Sequence, residues 1–96
     1  MRLSALQKYI LTTCFSARGK VGRALLHKFY EGKNIQHKVV VNVVTKTLER
    51  LIDKGLLVGL GVRTPKKWYI KEVRLTQAGR KAARQLQGKQ LRLPLQ

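Results

Sequence analysis

Twenty-one Lys and Arg residues face only four Asp and Glu in a chain of 96, a formal net charge of +17. That imbalance narrows the folds open to the chain. The cations cannot be neutralised in pairs within the molecule, so nearly all must lie at the surface. The core must come from the 44 % of residues that are apolar. A net charge of about 2 to 8 keeps a small domain soluble. The excess costs the compact state self-repulsion unless a polyanion offsets it. Duplex DNA, with a negative charge about every 1.7 Å of axis, is the first candidate. The length suits one domain with a single core, and the apolar fraction is too high for a disordered basic tail. After Asp53 the only acid is Glu72, so the C-terminal half is the more one-sided.

Patterning divides the chain into helices first and strands later. Ser4 and Gln7 have the spacing of a capping box, and Leu6, Tyr9, Ile10, Thr13 and Cys14 recur at helical intervals behind them. A first helix is predicted over 4–15, then a basic loop over 16–20 carrying Arg18 and Lys20. A second helix is predicted over 22–31, with Leu25, Leu26, Phe29 and Tyr30 inward and Gly32 as its left-handed stop. Over 36–54 the valines of 38–44 favour a strand. Val41, Val44, Leu48, Leu51 and Ile52 nonetheless form one helical stripe, so a single third helix is predicted, capped by Gly55 with Leu56 behind it. A hairpin follows: an apolar run over 57–62, a basic tip over 63–67 and a return strand over 68–75. The inward parity switches between Trp68–Ile70 and Val73–Leu75, which places a bulge near Lys71 and Glu72. A last helix is predicted over 76–87 with Thr76 as N-cap, followed by a tail over 88–96 whose leucines 91, 93 and 95 either fray or meet a partner subunit.

Three helices, a basic hairpin and a short C-terminal helix make an α+β chain in the order of a winged helix-turn-helix domain. The segment Thr45-Lys-Thr-Leu-Glu-Arg-Leu-Ile-Asp-Lys-Gly-Leu-Leu57 resembles the end of the recognition helix in MarR-like and PadR-like regulators. There a Leu-x-x-Leu pair precedes a Lys-Gly-Leu step into the wing. Leu75-Thr-Gln-Ala-Gly-Arg80 is similar to the Leu-Thr-x-x-Gly element that closes the wing in the same superfamily. The resemblance covers roughly residues 4 to 87 and implies that the third helix enters the DNA major groove, which is wide enough for one helix.

Opposite the apolar stripe of that helix lie Lys38, Asn42, Thr45, Lys46 and Glu49. Asn42 suits adenine, Lys46 guanine or phosphate, and Thr45 a thymine methyl. Glu49 reads better as a local offset to nearby cations. Arg63, Lys66 and Lys67 flank Pro65 at the hairpin tip, a short cationic point suited to phosphate or to a narrow minor groove. Arg18 and Lys20 would add phosphate contacts. Trp68 and Tyr69 could stack on single strands, but a ring capping the core beneath the wing is the simpler reading.

No catalytic constellation is present, and four acids leave little from which to build one. The chain is therefore read as a non-enzyme without a cofactor. His27 and His37 lack a ligand cluster for a metal, and Cys14, the sole cysteine, reads as a buried inert thiol. No stretch suits a signal peptide or a membrane span, which fits a cytoplasmic, nucleoid-associated location. The expected function is that of a small duplex-DNA-binding transcriptional regulator. A homodimer would form through the first helix, the last helix or the tail, since the extra terminal helices of MarR-like proteins are missing, and no effector pocket is expected. The alternatives are a sequence-tolerant architectural protein, a ribosome- or RNA-associated protein, and a protein-interaction module.

Overall fold

The computed structural model describes residues 3–92. Helix α1 spans Ala5–Ala17. The Gln7 N–H donates to Ser4 Oγ at 3.2 Å, and the Ser4 N–H donates to Gln7 Oε1 at 2.9 Å, which is the expected capping box. Leu6, Ile10, Leu11 and Cys14 form its buried face. Arg18 ends the helix in the left-handed conformation, φ 57°, with its N–H bonded to the Cys14 carbonyl.

The next segment departs from expectation. Val21–Gly22 form a two-residue strand, β1, that pairs antiparallel with the hairpin, Val21 opposite Val73. Helix α2 is consequently short, Arg23–His27, and a single 3-10 turn over Lys28–Tyr30 completes the predicted helical stretch. The chain leaves that turn through Gly32 at φ 82°.

Helix α3 runs unbroken over His37–Asp53, so burial overrides the strand preference of its valines. Its buried residues are Val40, Val44, Leu48 and Leu51; Val41, expected inside, is only half-buried. Gly55, φ 78°, turns the chain out of the helix. The Gly55 N–H meets the Ile52 carbonyl at 2.9 Å and the Leu56 N–H meets the Leu51 carbonyl at 3.0 Å, the paired bonds of a Schellman stop.

Strands β2 (Leu57–Arg63) and β3 (Trp68–Leu75) form the hairpin of a three-stranded antiparallel sheet in the order β1-β3-β2. The register runs from Leu57 opposite Leu75 to Leu60 opposite Glu72, then resumes with Gly61 opposite Ile70. Lys71 is the extra residue, where the parity switch predicted a bulge. Gly61 is required at this bend, because a Cβ there would collide with the Tyr69 carbonyl oxygen.

Helix α4 (Gln77–Arg92) continues five residues past the expected end at Gln87. Gly88 costs a helix only about 1 kcal/mol relative to Ala, and the Gln, Lys, Leu and Arg residues around it are good helix formers. Ala82, Ala83 and Leu86 join the core cluster, which also takes in α1. Thr76 knots the base of the hairpin: its hydroxyl accepts from the Gly79 N–H and donates to the Gly55 carbonyl at 2.6 Å, while its N–H donates to the Leu56 carbonyl. The Trp68 and Leu91 side chains, and Leu93 and Leu95 altogether, lie outside the described residues.

Candidate nucleic-acid interface

The outward face of α3 carries Lys38, Val39, Asn42, Val43, Lys46 and Arg50, all exposed. These positions recur at three- and four-residue spacing and so form one continuous stripe. Relative to the face expected from the sequence, the stripe is rotated by roughly 50° at 100° per residue. The cause is the burial of Val40 in place of Val41, which brings Val39 (46 % exposed) and Val43 (36 % exposed) to the surface. Two β-branched side chains thus flank Asn42 and Lys46, adding apolar methyls to a polar and cationic stripe.

Thr45 has moved to the margin of this face and is half-buried. Its hydroxyl accepts a 2.7 Å hydrogen bond from Arg23 Nη2. Arg23 is the residue that sequence reasoning missed. From the first turn of α2, its guanidinium also reaches the Val41 carbonyl at 3.2 Å and the Ile70 carbonyl at 3.3 Å. Its Nε–H donates to His27 Nε2 at 3.2 Å. One side chain therefore ties α2, α3 and β3 together behind the exposed stripe. A sequence signal did exist: a cation in the first turn of a helix opposes the helix dipole, so such a residue often has a specific partner elsewhere.

Burial lowers the Arg23 pKa, yet a guanidinium stays charged at any physiological pH. The His27 pKa is also lowered, by burial first and then by the charges of Arg23 and His37. Neutral His27 is the form that can accept from Arg23. The His27 and His37 rings meet edge-on at 6.1 Å. Among the described residues no group of three His, Cys, Asp or Glu side chains could hold a metal.

The hairpin tip is a closed turn. The Thr64 hydroxyl accepts from the Lys67 N–H at 3.0 Å and donates to the Lys67 carbonyl at 2.8 Å, and the Thr64 N–H reaches that same carbonyl. Pro65 and Lys66 are pushed to the point. Arg63, Lys66 and Lys67 are all exposed. They line one open cleft together with Glu49 of α3, so the tip adjoins α3 at that residue and Glu49 sits among cations. Tyr69 is 49 % exposed and lies beneath the Lys67 ammonium, 5.3 Å from ring centre to Nζ, so it does not cap the core.

The remaining two predicted contacts lie elsewhere. Arg18 and Lys20 are exposed on the α1–β1 connection. Because β1 runs antiparallel to β3 and meets it at Glu72 and Val73, that connection lies at the base of the sheet, away from the tip. Seven strand steps at about 3.3 Å each separate the tip of β3 from its base, roughly 20 Å. Lys38, Asn42 and Lys46 thus share the exposed face of α3, Arg63, Lys66 and Lys67 share the tip that meets α3 at Glu49, and Arg18 and Lys20 lie at the far end of the sheet.

No protein-family model matches the sequence, and no curated protein does. Solved structures match the fold. The adhesin competence repressor AdcR of Streptococcus pyogenes superposes with a TM-score of 0.62 at 18 % identity, covering 93 % of this chain and 58 % of that one. A double mutant of Lactococcus lactis ZitR gives 0.60 at 19 % identity over 92 % of this chain and 53 % of its own. A cysteine-to-serine mutant of Escherichia coli MarR, solved in complex with operator DNA, gives 0.58 at 22 % identity over 86 % of this chain and 52 % of its own. The chain thus spans little more than half the length of these proteins. These likenesses, with this chain's own three-stranded antiparallel sheet and hairpin wing beside α3, identify its fold as a winged helix-turn-helix.

Proposed function

We propose that this chain is a duplex-DNA-binding transcriptional regulator, not an enzyme, that lays α3 in the major groove and its wing tip against the backbone or minor groove. The observation that carries this reading is the continuous exposed stripe of Lys38, Asn42 and Lys46 beside a rigid cationic tip. Such a stripe presents a bidentate amide for adenine and an ammonium for guanine or phosphate. Val39 and Val43 add methyls suited to thymine. The tip supplies point charges that fix position without reading sequence. Thr45 takes part as a support for Arg23, since its hydroxyl is engaged there. The fold likeness to a regulator solved on operator DNA supports the same docking. Two copies, joined through α1 or α4, would read half-sites about 34 Å apart, one helical turn.

The test is a salt-titrated competition on a duplex selected from a random pool. Asn42→Ala and Lys46→Ala should each lower discrimination against mismatched duplexes by about 1–3 kcal/mol. Lys66→Ala combined with Lys67→Ala should weaken all duplexes alike and lower the slope of log K against log salt by about 1.8, which corresponds to two phosphates. Equal losses on every sequence from all four substitutions would remove the base-reading assignment. Preference for duplex RNA, whose deep narrow groove excludes a helix, would overturn the docking itself.

A further inference from the structure

At the base of the sheet, where α1 ends, β3 ends and α4 begins, the surface folds into a recess of about 160 Å³. Arg18, Arg74 and Arg80 line it, and Phe15 and Leu75 contribute apolar wall. The three arginines come from three different elements, so the tertiary fold assembles the cluster and no single charged segment accounts for it. All four acids of the chain are among the described residues and none lines the recess. Three like charges share a concave site whose described lining includes no Asp or Glu. Such a site repels itself until an anion enters.

We infer that this recess is a phosphate-binding site, distinct from the nucleic-acid interface, that takes a compact phosphate dianion, free or as a terminal monoester. Guanidinium forks match tetrahedral oxyanions bidentately, and three arginines lining one recess favour a group with several free oxygens. A monoester presents three such oxygens; a diester within a duplex presents two and carries its chain on both sides. The volume is below the roughly 300–1,000 Å³ of pockets that take drug-sized ligands, so the group that enters is small. Arg18 also holds its backbone at φ 57°, a left-handed conformation that glycine adopts with less strain. An arginine among the lining residues thus stands where the backbone itself favours glycine. The site goes beyond the duplex-binding reading and does not depend on it, because its ligand is assayed alone.

The experiment titrates inorganic phosphate and glycerol 3-phosphate into the full chain by calorimetry and by phosphorus NMR line width. Ionic strength is held constant with chloride, and Arg74→Gln and Arg80→Gln serve as variants. Saturable binding of both phosphates is expected, weakened about tenfold or more by either substitution, as befits loss of a charged hydrogen-bonding partner. Lys28→Gln, an exposed cation outside both the recess and the nucleic-acid interface, should leave phosphate affinity unchanged. Far-ultraviolet circular dichroism confirms that each variant is folded. The inference is overturned if phosphate shows no saturable binding above chloride, or if Lys28→Gln weakens it as much as Arg74→Gln does. It is equally overturned if Arg74→Gln and Arg80→Gln impair only the binding of a second duplex, since the recess would then be a patch for a diester backbone.

Discussion

Replacing Arg23 by Met keeps the aliphatic stem and removes only the guanidinium, so it isolates what that group does. Four hydrogen bonds go with it. A charged donor on a well-placed acceptor contributes about 1.5 kcal/mol net, and the 2.7 Å bond to Thr45 is the one short enough to merit that figure. The others lie at 3.2 to 3.3 Å and are assigned about 0.5 kcal/mol each, the low end for a protein hydrogen bond. Freeing a long side chain returns roughly 1 kcal/mol of rotamer entropy. The net loss is about 2 kcal/mol, a fall in Tm of roughly 8–16 °C for a domain of this size. Removing one positive charge from a chain at +17 also relieves repulsion, so Lys20→Met, an exposed cation, is the control. Thermal unfolding followed by circular dichroism compares the two. A double-mutant cycle with Thr45→Val should show coupling of about 1 kcal/mol. If Arg23→Met lowers Tm no more than Lys20→Met, or if the cycle shows no coupling, Arg23 does not brace the helix-turn-helix.

Gly61→Ala drives a Cβ into the Tyr69 carbonyl at the bulge and should destabilise by about 1–3 kcal/mol in urea unfolding, as overpacking does elsewhere. His27 makes stability depend on pH. Its folded pKa lies below the usual 6.5, so the unfolded chain binds the proton more readily, and stability is fully present above that value. It is lost as pH falls from 6.5 through the lowered folded value. His27→Gln should flatten that portion of the Tm-against-pH curve, and an unchanged curve would show that another group is responsible. Burial pushes the Cys14 thiol up to about 11 from 9.0. At fixed pH near 8, that shift alone makes its thiolate about 100-fold scarcer than in the unfolded chain. A disulfide reagent should therefore label it readily only in denaturant, and fast labelling of the native protein would contradict its burial.

Features written in local chemistry were legible in the sequence. Ser4 with Gln7, Gly55 with Leu56, and the parity switch across Lys71 each specify their geometry within a few residues, and each appears as expected. What depended on distant pairing was not legible. Val40 and Val41 are chemically identical, so only the packed core decides which is buried, and that choice turns the whole α3 face. Arg23 is one cation among twenty-one Lys and Arg, and its role depends on carbonyls 18 and 47 residues away. Strand β1 has two residues and no pattern of its own, yet its pairing with Glu72 and Val73 decides where Arg18 and Lys20 lie. Helix α4 outran its thin alanine face because helix propensity, and not apolar periodicity, carries it past Gly88.

The knot at Thr76 has a mechanical consequence. It joins the end of α3, the starting end of β2, the finishing end of β3 and the first turn of α4, and Gly79 is pressed so closely to the Leu56 carbonyl that a Cβ would not fit. The hairpin is thus a cantilever clamped at one end. Just past the extra residue at Lys71, the buried Ile70 holds β3 a second time through the core and through its carbonyl's bond from Arg23, so only the exposed segment around the tip stands free of the body. On the docking proposed above, binding would immobilise only the few residues around the tip, so little ordering entropy would be lost, and tolerance for local duplex shape would reside in that tip.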